Sequence, residues 1–267
     1  MSATANIAAT VATLVRSRRS GARRPRRPRA GAVAAVTLLA IAAIAGAMAW
    51  LDGRAIMGVG QLPGWMVRMF EELTDFGKSG WFLWPIGVLL LAIAIGSLRE
   101  LPKCARLVLA ALAVRLAFLF AAIALPGLVV AVVKRLVGRA RPLVVGDGDV
   151  LVFRPFVWRG DYASFPSGHG TTAFAAAIAI GALWPRTRPL MWSYAVLIGL
   201  SRVVVTAHHP SDVIASAVFG MVGALLVRDW FAARRLGFAV GTDGAVHRLP
   251  GPSFGRTKAV ARRLLSA

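Results

Sequence analysis

LAFLFAAIALPGLVVAVVKRLVGRARP, residues 116–142, runs 18 positions without a charge and then places Lys134, Arg135, Arg139 and Arg141 within eight positions. An α-helix needs about 20 apolar residues to cross the hydrocarbon of a bilayer. This stretch therefore predicts a transmembrane helix that ends in a basic cluster at one membrane face. The apolar lead-in at 107–115 reads as the other end of the same helix, with Arg115 snorkelling to the headgroups. Pro126-Gly127 inside the run predicts a kink.

Working outward from that helix, six segments qualify as spans: 31–50, 81–98, 116–133, 169–185, 189–206 and 211–228. The expected fold class is all-α, a polytopic membrane protein with six transmembrane helices in a bundle. The composition agrees. Of 267 residues, 57% are hydrophobic, and the mean hydropathy is +0.67, whereas a soluble domain is nearer half apolar. The net charge of +21 admits a nucleic-acid binder as well. The placement of that charge, between long apolar runs, favours the membrane and excludes nucleic acid as the expected partner.

The same charge orients the chain. Arg16, Arg18, Arg19, Arg23, Arg24, Arg26, Arg27 and Arg29 precede the first span without an acid among them. Arg99, Lys103 and Arg106, then Arg186 and Arg188, then a tail with Arg234, Arg235, Arg248, Arg256, Lys258, Arg262 and Arg263, fall on the same side. That side is the cytoplasm, which holds both termini. Across the membrane, 51–80 balances Arg54, Arg68 and Lys78 against Asp52, Glu71, Glu72 and Asp75. The segment 134–168 breaks the rule, being basic yet outside, so its cations need another explanation.

Three regions follow: a basic cytoplasmic segment at 1–30, a six-helix membrane domain at 31–228, and a basic cytoplasmic tail at 229–267. The tail is expected to be solvated or surface-lying, with a short basic helix at 256–266. The basic start, apolar run and small residues at 45–49 imitate a signal peptide, but an apolar run of about 20 residues exceeds a usual signal core. Pro25 and Pro28 oppose a recognition helix in the arginine stretch, which reads as an anchor touching anionic lipid. Cys104 is the single cysteine and can form no internal disulfide.

Three polar clusters stand at the outer ends of the spans. They are Lys134 to Arg141-Pro142, Pro166-Ser167-Gly168-His169, and Ser201-Arg202 to His208 and Asp212. The span count brings them to one membrane face. Lys134, Arg141 and Arg202 there confront Asp212 alone, which calls for an anion, and guanidinium forks match phosphate oxygens. Ser167 and Gly168 open a helix whose free N–H groups favour the same anion. His208 and Asp212 are four positions apart, so a carboxylate meets one ring nitrogen and leaves the other free to attack. His169, from a separate helix start, suits a general acid. No carboxylate or Cys/His cluster suggests a metal, and no cofactor is implied. A structural ion pair is the ordinary alternative for Arg202, a helix cap for Ser167, and a metal site or cap for His208 with His209. Arg135 and Arg139 read as exposed or as touching headgroups, His209 has no assigned role, and Phe153, Phe156, Trp158 and Phe165 read as interfacial anchors.

These residues resemble the phosphatidic acid phosphatase type 2 superfamily, whose membrane members carry six helices and the motifs KxxxxxxRP, PSGH and SRxxxxxHxxxD. Here they read KRLVGRARP (Lys134 to Pro142), PSGH (Pro166 to His169) and SRVVVTAHHPSD (Ser201 to Asp212). The resemblance implies that Lys134, Arg141 and Arg202, with Ser167 and Gly168, hold the phosphate. It further implies that His208 attacks phosphorus to give a phosphohistidine, that His169 protonates the leaving group, and that Asp212 orients His208. The expected function is hydrolysis of a lipid monophosphate or diphosphate at the periplasmic face of a bacterial inner membrane. Candidate substrates are undecaprenyl diphosphate, phosphatidylglycerophosphate, phosphatidate and the phosphates of lipid A. A phosphotransferase using the same site, and a non-catalytic lipid-binding protein, are the alternatives. Oligomeric state is not legible.

Overall fold

The computed structural model describes residues 24–26, 28–96, 101–144 and 149–265. The expected cytoplasmic cations Arg16, Arg18, Arg19, Arg23, Arg27 and Arg99 lie outside them. Nine α-helices follow one another among the described residues: α1 Ala30–Trp50, α2 Asp52–Val59, α3 Gly64–Asp75, α4 Gly80–Ile95, α5 Lys103–Val137, α6 Gly168–Leu183, α7 Arg188–Val204, α8 Pro210–Ala233 and α9 Phe254–Leu265. A short antiparallel pair, β1 Phe238–Val240 and β2 Val246–Arg248, precedes α9. The protein is thus mostly helical, as its apolar runs require.

Among the described residues, four helical stretches are long and apolar enough to cross a membrane: α1, α3 with α4 (Gly64–Ile95), α5 and α8. The apolar residues of α1 and of α3 with α4 face outward almost throughout, whereas α5 and α8 also bury some of theirs, among them Phe118, Ile123, Ala215 and Ala224. In α1 only Ala47 is buried, and in α4 no residue is. Such surfaces suit hydrocarbon and not water. Helices α6 and α7 have 16 and 17 residues, about 24–26 Å at 1.5 Å per residue, shorter than the expected spans. The segment 51–80, read as an inter-span stretch, contains α2 and α3. Helix α5 runs through Pro126 without interruption.

The chain packs as two units, and the division falls within α4, α5 and α8. In the unit made of 27–81 and 122–225, α6 is the buried element. Ala173, Phe174 and Ala177 of α6 pack with Ala195 and Ile198 of α7. Small residues let α8 come close: a Cβ on Gly220 would lie 2.6 Å from the Thr171 carbonyl oxygen. Such glycines replace side-chain packing with backbone contact. Helix α6 starts at Ser167, whose hydroxyl accepts from the Gly170 N–H at 3.3 Å, a standard N-cap.

The unit made of 82–121 and 226–265, with the described residues before Arg27, holds a second core. Phe118 meets Phe231 and Phe238 edge-on, with centroids 5.5 and 4.8 Å apart. Val260 of α9 packs on Ala105, Val108 and Leu109. The tail is therefore not simply solvated, because Phe238 and Val260 are buried. Arg115 also departs from its expected snorkelling: it donates to the Leu249 carbonyl at 3.1 Å. Cys104 is free and exposed.

Candidate active site

The first cluster is turned inward by Gly138. Its φ is +62°, and the Arg154 carbonyl oxygen approaches so closely that no Cβ fits. Only glycine accepts both conditions at no steric cost. Residues 139–141 then run against 150–154, with Arg139 opposite Phe153 and Ala140 N–H donating to the Val152 carbonyl at 3.0 Å. Arg141 N–H donates to the Asp161 carbonyl at 2.8 Å. The outer segment is thereby stitched together, and Lys134, in the last turn of α5, sits beside Gly168, whose Cβ would lie 3.7 Å from Nζ.

The second and third clusters are joined by main chain. Ser167 N–H donates to the Asp212 carbonyl at 3.3 Å, and His208 N–H to the Arg202 carbonyl at 3.1 Å. Arg202 lies in the last turn of α7, and its Nη1 donates to the Thr74 hydroxyl at 2.7 Å. His169, in the first turn of α6, is fitted against Gly77: a Cβ there would lie 2.9 Å from His169 Cδ2. His169 is within electrostatic reach of Arg202, His208 and Lys134, and Lys134 of Arg141, Asp212 and Arg202. The structure thus gathers Lys134, Arg141, Ser167, Gly168, His169, Arg202, His208 and Asp212 in one place.

Two features mark what the place lacks. Nε of Arg141 and Nε of Arg202 are buried and have no hydrogen-bond partner in the protein. An unpaired buried donor costs about 1–3 kcal/mol, more when charged, so these groups await an acceptor. Among the described residues no group of three His, Cys, Asp or Glu side chains has the arrangement to hold a metal.

His208 is 2% exposed. Burial lowers its pKa to about 4; Asp212 opposes that shift, and the charges of Arg202 and Lys134 add to it. Its Nδ1 is 3.7 Å from Asp212 Oδ2, an ion-pair distance longer than a hydrogen bond. The Ser164 hydroxyl lies beside them both, 3.5 Å from His208 Nδ1 and donating to Asp212 Oδ2 at 2.6 Å. A hydroxyl that donates to the carboxylate keeps a lone pair for an Nδ1–H. That tautomer leaves Nε2 unprotonated.

Several groups here were not legible in advance. Arg139, expected at the surface, is fully buried and contacts Asp212 and Asp52. The correction follows from the Gly138 turn, which points its side chain inward. Asp52 and Ser211 join it. His209 is buried as well, its N–H donating to Asp212 Oδ2 at 2.9 Å and its Nδ1 lying 3.3 Å from the same oxygen. An acid at the mouth of an apolar run is the one signal that could have flagged Asp52. Phe156 and Trp158 are exposed, with Arg135 5.5 Å from the Trp158 ring.

Known proteins place these features in context. A family model for the PAP2 superfamily matches residues 115–236. A lipid A 1-phosphatase of Rhizobium johnstonii is 38% identical over 192 residues, 71% of this chain and 78% of that protein. A lipid A 1-phosphatase of Rhizobium etli is also 38% identical over 192 residues, with 82% of its length covered. The crystal structure of Aquifex aeolicus LpxE shares 21% identity and a TM-score of 0.47, covering 66% of this chain and 94% of that one. With a kinship of 38% spanning more than two thirds of each curated relative, the chain belongs to the PAP2 superfamily, the phosphatase family whose three motifs it carries.

Proposed function

We propose that this chain hydrolyses the phosphate at the 1-position of lipid A, on the periplasmic face of a bacterial inner membrane, through a phosphohistidine at His208. The observation that carries the phosphate chemistry is the pair of buried, partnerless Nε groups of Arg141 and Arg202 near Lys134. Two guanidiniums with an unspent donor each, beside a third cation, match the oxygens of one phosphoryl group. The names of the two 38%-identical relatives support lipid A over the other lipid phosphates.

In the proposed reaction, Lys134, Arg141 and Arg202 hold the phosphoryl oxygens, with the first-turn N–H groups at Gly168 and the Ser167 cap completing the cradle. His208 Nε2 attacks phosphorus in line. The N–P bond forms as the bond to the lipid oxygen breaks, and His169 gives that oxygen its proton. Water then attacks phosphorus, the N–P bond breaks, and His169 takes the water proton. Stabilising charge on the equatorial oxygens is the largest catalytic contribution. Asp212 orients His208.

Six spans, with both termini cytoplasmic, support the periplasmic placement through the basic segments between spans. Helices α6 and α7 are counted as spans despite their length, since α6 is covered by protein and need not match the bilayer. The region 31–228 is then the phosphatase domain, flanked by basic cytoplasmic segments. The test is a panel of lipid A, phosphatidate, phosphatidylglycerophosphate and undecaprenyl diphosphate with purified protein in detergent. Phosphate release should be fastest from lipid A, at its 1-position. Faster release from another lipid overturns the substrate, and transfer to a second lipid without free phosphate overturns hydrolysis.

A further inference from the structure

The geometry points to Asp52 and Arg139 as positioning residues that hold the Asp212 carboxylate within a net negative cluster and aimed at His208. This role rests on the phosphohistidine reading above. Arg139 differs from the other two site arginines in having nothing left to offer a phosphate. Its Nη1 donates to Ser211 Oγ at 2.6 Å and to Asp212 Oδ1 at 2.7 Å. Its Nη2 donates to Asp52 Oδ2 at 2.8 Å and to the Val150 carbonyl at 2.7 Å, and its Nε to that carbonyl at 3.2 Å. A guanidinium has five N–H donors, and all five are engaged. Arg141 and Arg202 each keep a buried Nε without a partner.

Asp52 is held equally firmly from the start of α8. The Ser211 N–H donates to its Oδ1 at 2.9 Å and the Ser211 hydroxyl to its Oδ2 at 2.5 Å. The side chains of Asp52, Arg139 and Asp212 are all 0% exposed. Two carboxylates share one guanidinium, so the trio keeps one net negative charge. If Arg139 paired with Asp212 alone, it would neutralise the carboxylate that His208 needs. Asp52 takes half of the guanidinium fork, so the cluster retains one negative charge beside His208.

The same contacts fix direction. Arg139 occupies Oδ1 of Asp212, which locks the carboxylate rotation and leaves Oδ2 to Ser164, His209 and His208. When Nε2 of His208 bonds to phosphorus, the ring becomes cationic. The residual negative charge behind Nδ1 then stabilises that ring, a gain made in the transition state and not in substrate binding.

The test compares Asp52→Asn with the unaltered protein in lipid A micelles, following phosphate release and inhibition by orthovanadate, which occupies the phosphate cradle. We expect kcat to fall about 10- to 100-fold, with KM and the vanadate inhibition constant changed less than about threefold. Unchanged kcat in a folded D52N protein overturns the role. So does a parallel loss of kcat and vanadate affinity, which would mark a general scaffold. Should D52N fail to fold, Ser211→Ala decides by the same criteria, since it removes the hydroxyl bridging Asp52 and Arg139 without removing a charge. Its kcat should fall several-fold at constant vanadate affinity. His208→Ala, run in parallel, separates the two readings. Turnover by H208A defeats the phosphohistidine itself, whereas inactive H208A beside fully active D52N defeats the positioning role alone.

Discussion

Thr74 and Arg202 stand 128 positions apart, yet the guanidinium Nη1 of Arg202 donates to the Thr74 hydroxyl at 2.7 Å, and both side chains are buried. Three residues on, Gly77 fits against the ring of His169. The end of α3 and the turn after it therefore touch two motif residues while carrying no motif of their own. Tyr194 fastens that turn by donating its hydroxyl proton to the Phe76 carbonyl at 2.8 Å.

Thr74→Val keeps the shape and removes the acceptor, leaving a buried guanidinium donor free to drift from the pose the proposed reaction needs. A hydrogen bond to a charged group is worth about 1.5–3 kcal/mol. Vanadate affinity should weaken about 10- to 100-fold, the ratio to which that energy corresponds. An unchanged inhibition constant would remove Thr74 from the cradle's support.

Gly77→Ala introduces a methyl 2.7 Å from Ile198 Cγ2 and 2.9 Å from His169 Cδ2. Something must yield, and His169 is the half-buried neighbour, whereas Ile198 is fully enclosed. A displacement near 1 Å in a reacting group costs about 100-fold, and kcat should drop by about that factor. The melting temperature measures how much of the loss is unfolding; full activity would show that His169 tolerates the shift.

His208→Ala should lower phosphate release by about 1000-fold or more while the protein still inserts and folds. Rapid quenching with labelled substrate should trap an acid-labile, base-stable phosphoenzyme in the unaltered protein and none in H208A. Labelling of H208A would move the nucleophile elsewhere.

His208 has its pKa lowered to about 4, chiefly by burial. The sign follows: at pH 5.5 an ordinary imidazole is mostly protonated, whereas His208 should remain neutral and competent to attack. NMR of 13C-labelled histidine, with the His208 signal assigned from H208Q, checks this in the substrate-free protein. A midpoint near 6.5 would contradict the burial of the ring.

The apolar runs announced the helices well because hydrophobic length is a local property. Residues 31–50 became Ala30–Trp50, and 211–228 lies within Pro210–Ala233. Helices α2 and α3 were hidden in a charge-balanced stretch whose periodicity competes with Gly60, Pro63 and Gly64. The strands β1 and β2 have three residues each, too few to display alternation. In the site, spacing identified the residues at the motif positions but not which arginine of GRAR turns inward. That choice depends on the left-handed turn at Gly138 and on Phe153 across the ladder, neither of which local pattern encodes. Asp52 meets Arg139 across 87 positions and Ser211 across 159; only the folded bundle brings them together.

Helix α1 is apolar on every side, buried only at Ala47, and followed at once by Asp52 in the Arg139 clasp. Its C-terminal end is tethered through Asp52, like a mast stepped in a socket. A bilayer that thins or thickens is met by tilt, at a fraction of a kcal/mol per Å of mismatch. A tilt that pivots about this socket moves Asp52 least, so changes in lipid thickness are absorbed away from the Asp52–Arg139–Asp212 cluster.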